Sequence, residues 1–77
     1  MQKIIACLKI VFPECDPATI TSDTTLGDVP GWDSMNSVNF LLELEVAFSV
    51  GLLDETVTAQ QRVSDVAEML RAKGAEV

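Results

Sequence analysis

The chain has 77 residues, of which 48% are hydrophobic, and it carries a formal net charge of −7. A chain of this length buries only about 60% of its unfolded surface, which disfavours a large sheet or an enclosed active site and predicts one domain over residues 1–77. Its five basic residues lie in 1–9 and 62–73, and the stretch 10–61 holds nine acids and no base. This distribution argues against nucleic acid and anionic membranes as partners and favours a basic protein surface, although acidic excess also aids solubility by itself.

Targeting signals and metal sites are not visible in the sequence. The longest apolar run, residues 4–12, is interrupted by Lys9 and falls short of the roughly 20 residues that span a bilayer. The N-terminus lacks the pattern of a secretory signal, so we expect a cytoplasmic protein without a membrane anchor. Cys7 and Cys15 match no metal spacing; we expect a buried Cys7 and a free loop Cys15, since a disulfide between them would need an oxidising compartment.

The first predicted helix covers residues 2–12. Its apolar positions recur with helical spacing at Ile4, Leu8, Val11 and Phe12. Pro13 ends the pattern, because its ring clashes with a continuing helix. A long connection follows over residues 13–32, with Ile20 and Leu26 as the expected inward anchors; a loop of this length in a small domain is often functional.

The second predicted helix covers residues 34–48 and has the strongest helical pattern in the chain. Asp33 is placed to cap it, since a carboxylate can accept from free backbone N–H groups at a helix start. Gly51 marks the expected break after the helix. Its apolar stripe is predicted at Met35, Val38, Leu41, Leu42 and Val46, widened by Leu44 and Phe48.

The last third of the chain predicts one helix and a less regular segment. Residues 52–62 favour a short helix or a single turn. Residues 64–73 predict the last helix, with Ser64 as its N-cap and Gly74 as its stop. The sequence therefore predicts an all-α bundle of three main helices plus a short fourth, with a long first loop.

The chemistry of the side chains argues against an enzyme. The chain has no histidine, which excludes Ser-His-Asp and Cys-His catalysis, and no phosphate loop or dinucleotide fingerprint is present. The acid pair Asp54 and Glu55 could suggest acid–base chemistry, but on a short exposed element it is more simply a solvated face.

The segment around Ser34 carries a family resemblance. It consists of Gly31-Trp32-Asp33-Ser34-Met35, followed by apolar residues at helical spacing up to Phe48, the acidic turn Asp54-Glu55, and Arg62-Val63-Ser64-Asp65-Val66. Asp-Ser alone is common at a helix start, but in this combination the chain resembles the acyl carrier protein family from Ile4 to Leu70.

The resemblance implies a site and a cofactor. Ser34 falls on the serine that a phosphopantetheinyl transferase modifies with 4′-phosphopantetheine from coenzyme A, and the thiol of that arm carries acyl groups as thioesters. Asp33 falls on the aspartate of the motif and would present the site. Met35 falls on the next apolar position and would tuck into the bundle. A thiol arm supplies the chemistry, so a carrier needs no catalytic side chain of its own.

The resemblance also implies partners, namely acyl-loading and acyl-processing enzymes with basic docking patches that act on a monomeric carrier. The candidate partner-binding residues are Trp32, Asn36, Asn39, Glu43, Glu45, Asp54 and Glu55. Asn36 and Asn39 stand where the family is often acidic, and Trp32 is typical of specialised carriers. We therefore expect a polyketide, lipopeptide or other specialised pathway related to fatty-acid synthesis.

Two alternatives share this sequence pattern. An aminoacyl or peptidyl carrier would use the same serine but a different loading enzyme, although the glycine-rich sequence of peptidyl carriers is absent before Ser34. An unmodified acidic adaptor would tolerate loss of the serine. The core expected in each case is formed by Leu8, Phe12, Val38, Leu41, Leu42, Val63, Val66 and Leu70.

Overall fold

The computed structural model describes residues 2–77 and contains three α-helices. Helix α1 covers Gln2–Val11, α2 covers Ser34–Phe48 and α3 covers Val63–Ala72. The described residues contain no strand, which confirms the predicted all-α class and the order of its three main helices. No helix within residues 2–77 has both the length and the apolar character to cross a membrane.

The long connection between α1 and α2 packs into the fold and is not an open loop. It contains two short 3-10 helices, Pro17–Thr19 and Leu26–Asp28, and Ile20 and Leu26 are buried as predicted. Its second half forms a set of backbone hydrogen bonds with residues 59–64. In these bonds the N–H groups of Leu26 and Gly27 donate to the carbonyls of Gln61 and Ala59 at 2.8 and 2.9 Å.

Helix α3 begins one residue earlier than predicted, and its N-cap is Arg62, so the assignment of Ser64 as N-cap is wrong. The N–H groups of Val63 and Ser64 donate to the carbonyls of Thr24 and Ser22 at 3.0 and 2.9 Å. The long connection thus satisfies the first donors of the helix, and a capping hydroxyl is unnecessary. The Asp65 carboxylate accepts from the Arg62 N–H at 2.9 Å and closes the first turn.

The predicted fourth helix does not form. Residues 52–62 contain a turn at 53–54, closed by a 3.0 Å bond from the Glu55 N–H to the Leu52 carbonyl, and a second turn at 59–60. The β-branched run 56–58 has low helix propensity. The Thr58 N–H, which would donate to the Asp54 carbonyl in such a helix, donates instead to Gln61 Oε1 at 2.9 Å.

The core differs from the prediction on one side of α2. Val38 and Leu42 are exposed, and the buried residues of α2 are Phe40, Leu41 and Leu44. The other predicted core residues, from Leu8 to Leu70, are buried as expected. Leu52 and Val57 add two buried anchors from the segment between α2 and α3. The reason is that α2 carries two apolar stripes, and only one of them faces α1.

Both cysteines are free and buried. The expectation for Cys7 is confirmed, and Cys15, although free, is more enclosed than a loop position suggests. Burial, with a smaller contribution from the charge of Glu43, raises the pKa of the Cys7 thiol above its ordinary value. The thiol therefore stays protonated and unreactive at neutral pH.

Candidate functional site

A rigid turn precedes Ser34. The Trp32 N–H donates to the Val29 carbonyl at 3.1 Å across Pro30 and Gly31, and Gly31 has φ of +88°. Proline followed by a glycine with positive φ is the signature of a type II turn. This turn directs the chain from the long connection into the first residue of α2.

The Trp32 ring fixes that turn to the bundle. It stacks on Phe12 with ring centroids 5.5 Å apart, and it meets the edge of Phe40 at 6.4 Å. Trp32 is half-buried, as a loop anchor should be. Because its neighbours in sequence are Asp33 and Ser34, this contact holds the start of α2 at a fixed position relative to α1.

We expect Gly31→Ala to lower the free energy of unfolding by about 1–2 kcal/mol, because an L-residue is strained at this positive φ. Space is not the cause, since an added Cβ would lie 3.6 Å from the Phe12 ring. Gly51→Ala is the matched control, because Gly51 lacks positive φ and has no atom within 4 Å of an added Cβ. Urea unfolding of both variants measures the difference; equal effects would contradict the turn assignment.

Asp33 caps α2 as predicted. Its carboxylate Oδ1 accepts from the Asn36 N–H at 2.7 Å, and its backbone is extended, as at an N-cap. Ser34 is the first helical residue and is exposed. Its carbonyl accepts the Ser37 hydroxyl at 2.7 Å, and its own hydroxyl makes no hydrogen bond within residues 2–77. The Ser34 hydroxyl therefore stands free at the positive end of the α2 dipole.

We expect Asp33→Ala to lower the free energy of unfolding by about 1 kcal/mol through loss of this cap. Asp33→Asn retains an acceptor oxygen at the same place and should recover most of that loss. Thermal or urea unfolding of the pair tests the cap; an asparagine variant no better than the alanine variant would show that charge, and not the hydrogen bond, matters here.

Met35 does not tuck into the bundle, and that expectation is wrong. Its side chain is 76% exposed. It begins an exposed apolar stripe on α2, defined by Met35, Val38, Leu42 and Val46, on the face away from α1. Residue spacings of three and four place these side chains along one line. The sequence pattern predicts this stripe, but it places two of its members, Val38 and Leu42, in the core, and both are exposed.

The predicted partner residues on α2 lie in different surroundings. Asn39 is exposed, and its side chain donates to Asn36 Oδ1 at 3.2 Å. Asn36 in turn donates to the Gly31 carbonyl at 3.4 Å, so it is tied to the preceding turn. Glu43 is half-buried. Asn36 lies within one turn of Ser34, and Asn39 lies in the second turn of α2.

Three of the predicted partner acids make contacts inside the molecule. The Glu45 carboxylate accepts from the Leu52 N–H at 3.1 Å. Lys73 Nζ lies 2.9 Å from Asp54 Oδ1 and 3.3 Å from Glu55 Oε2. Hydrogen bonding to Lys73 lowers the pKa of Asp54, and the bonds from Lys73 to Asp54 and Glu55 raise the pKa of the lysine. The acidic turn is thus partly neutralised, which the sequence did not indicate.

A groove of about 210 Å³ opens beside the exposed stripe. One wall is formed by α2, and the other is formed by residues 52–57, which we call the strap. The groove begins at Ser37, one turn along α2 from Ser34. Its lining residues are Ser37, Val38, Leu41, Leu42, Glu45, Leu52, Leu53, Glu55, Thr56 and Val57.

Comparison of the chain with models of protein families, with curated proteins and with solved structures gave no match. Residues 2–77 also contain no group of three or more histidine, cysteine or acidic side chains that could hold a metal ion. The candidate site consists of an exposed serine at a capped helix start, next to an apolar stripe and a groove.

Proposed function

We propose that this chain is an acyl carrier protein, modified on Ser34 by 4′-phosphopantetheine. The supporting observation is the position of Ser34 at the capped start of α2, where its exposed hydroxyl has no hydrogen-bond partner among residues 2–77. The hydroxyl would become the ester oxygen of a phosphodiester, and the bound arm would hold acyl groups as thioesters. The protein itself would not be an enzyme.

The residues around Ser34 fit a phosphate group. The N–H groups of Ser34 and Met35 lie in the first turn and have no intrahelical acceptor. Together with the helix dipole they favour a negative charge at this point. Asp33 binds the Asn36 N–H, so it leaves the N–H groups of Ser34 and Met35 available to a phosphate. Trp32 and the Gly31 turn would keep the attachment point fixed while the arm moves.

The exposed stripe supports a docking role for the start of α2. Met35, Val38 and Leu42 would contact a phosphopantetheinyl transferase or an acyl-processing enzyme that approaches Ser34. Because Glu45, Asp54 and Glu55 are engaged internally, apolar contact would contribute more than ion pairing. The remaining acidic surface would still attract an enzyme with a basic patch.

We expect Leu42→Ala to lower kcat/KM of arm transfer about five- to tenfold, the loss typical of an apolar interface residue worth just over 1 kcal/mol. Glu68→Ala, an exposed change on α3, is the control and should have little effect. The rate of arm transfer is also measured over a range of salt concentrations, because salt weakens ion pairing and not apolar contact. A strong salt dependence with no effect of Leu42→Ala would contradict apolar docking.

The carrier function is tested by the mass of the intact chain after incubation with coenzyme A, magnesium and a promiscuous transferase. A gain of one phosphopantetheine supports the proposal. No gain with several transferases would favour the unmodified acidic adaptor. The cargo is then tested by loading. Acceptance of malonyl groups supports a polyketide, lipopeptide or fatty-acid-like role, whereas loading by amino-acid adenylating enzymes alone would identify an aminoacyl or peptidyl carrier.

A further inference from the structure

The strap has few attachments for a segment that forms one wall of a groove. Its side chains Leu52 and Val57 are buried and anchor its two ends. Between them, Leu53 is 90% exposed. Within residues 2–77, the strap makes one backbone–backbone hydrogen bond, from the Glu55 N–H to the Leu52 carbonyl. A segment with so few buried contacts and hydrogen bonds is expected to open at low free-energy cost.

Polar contacts on two sides hold the strap against the helices. On the α2 side, the Glu45 carboxylate accepts from the Leu52 N–H at 3.1 Å. On the α3 side, Lys73 lies just beyond the helix and binds both acids of the turn, at 2.9 Å to Asp54 and 3.3 Å to Glu55. Glu55 also lines the groove, so Lys73 binds a residue that forms part of the groove wall.

Lys73 is itself held in position. Its N–H donates to the carbonyls of Met69 and Leu70 at 3.2 and 3.1 Å, and the following N–H groups of Gly74 and Ala75 return to Arg71 and Leu70. This Schellman-type ending fixes the backbone of the lysine. Its ammonium group is therefore presented to the strap from a rigid base.

We propose that Lys73 is a latch that holds the 52–57 strap against α2, so that breaking its ion pairs lets the strap move away and widens the groove. The inference does not depend on the proposed function, because it concerns the unmodified chain. It places control of the groove at the C-terminal end of α3, remote in sequence from Ser34. Ionic strength should act on the groove through the same contact, because partly exposed ion pairs are screened by salt.

Amide hydrogen exchange of the full chain, followed by NMR, tests the latch. Lys73→Met keeps the apolar stem of the side chain and removes its charge. We expect it to speed exchange of the Leu52 and Glu55 amides about two- to fivefold, the range for loss of a partly exposed pair, with α1 and α2 unchanged. A soluble gadolinium chelate should then increase the relaxation rates of the Leu41 and Leu52 methyl protons more than it does in the wild-type chain.

Two controls separate the latch from a general loss of charge or stability. Arg71→Met removes a positive charge from the last turn of α3, where Arg71 forms no ion pair with residues 2–77, and should leave strap exchange unchanged. The double change Asp54→Asn, Glu55→Gln should reproduce the effect of Lys73→Met, and the two should not add when combined. Equal effects of Lys73→Met and Arg71→Met, or faster exchange at all amides together, would overturn the proposal.

Discussion

Ser34→Ala will leave the chain folded and will abolish attachment of the arm. The Ser34 side chain forms no hydrogen bond in the described part of the chain, and alanine is well tolerated in a helix, so the free energy of unfolding should change by about 0.5 kcal/mol or less. Attachment should fall to zero, because no other atom at this position can form the phosphodiester. Intact mass and circular dichroism of the same sample measure the two effects together.

Ser37→Ala is the matched control for this prediction. Ser37 lies one turn further along α2, and its hydroxyl donates to the Ser34 carbonyl at 2.7 Å. This serine is half-buried and its hydroxyl is already engaged, so its loss should leave arm attachment intact. A large drop in the melting temperature of Ser34→Ala would show that Ser34 has a structural role, and continued attachment in that variant would place the arm elsewhere.

Leu44→Ala will destabilise the fold far more than Leu42→Ala, although the two leucines are two positions apart. Leu44 is 0% exposed and Leu42 is 49% exposed. Truncating a fully buried leucine costs between about 2 and 5 kcal/mol through lost burial and the cavity left behind. The exposed leucine should cost about 1 kcal/mol or less.

The loss caused by Leu44→Ala is large for this chain because small domains have a low free energy of unfolding. The free energy of unfolding of folded proteins is about 5–15 kcal/mol in general. Leu44→Ala should therefore remove a substantial fraction of it. Urea unfolding of both variants at one temperature measures the difference. Equal losses, or a greater loss for Leu42→Ala, would mean that α2 faces α1 with its other stripe.

Local signals in the sequence predicted the elements of the fold well. Asp33 could be identified as the cap because the preference for an acceptor at a helix start depends on neighbouring backbone alone. Pro13 and Gly74 likewise mark helix ends through their own backbone properties. Ser34 at the start of α2 followed from the same local pattern.

The orientation of α2 could not be predicted in this way. Its residues 35, 38, 42 and 46 form one apolar stripe, and Phe40, Leu41 and Leu44 belong to another, with positions 40 and 42 about 200° apart around the axis. Both stripes satisfy helical spacing. Which of them is buried depends on where α1 and the Trp32 turn lie, and this information is not present within α2.

Sequence periodicity also does not predict contacts between distant segments. Ser64 appeared to be the cap of α3, but the carbonyls of Thr24 and Ser22 satisfy the first donors of that helix. The acids Asp54 and Glu55 appeared free, but Lys73, 19 residues from Asp54, binds them. Neither pairing has a local signature, because each depends on how the long connection and the strap are packed.

Locating the added group in the sequence would show whether Ser34 carries the arm. The wild-type chain, treated with coenzyme A, magnesium and a transferase, is fragmented in the mass spectrometer. We expect every fragment that contains Ser34, and none that lacks it, to carry one phosphopantetheine. An unmodified chain after treatment with several transferases, or a group located on another residue, would contradict it.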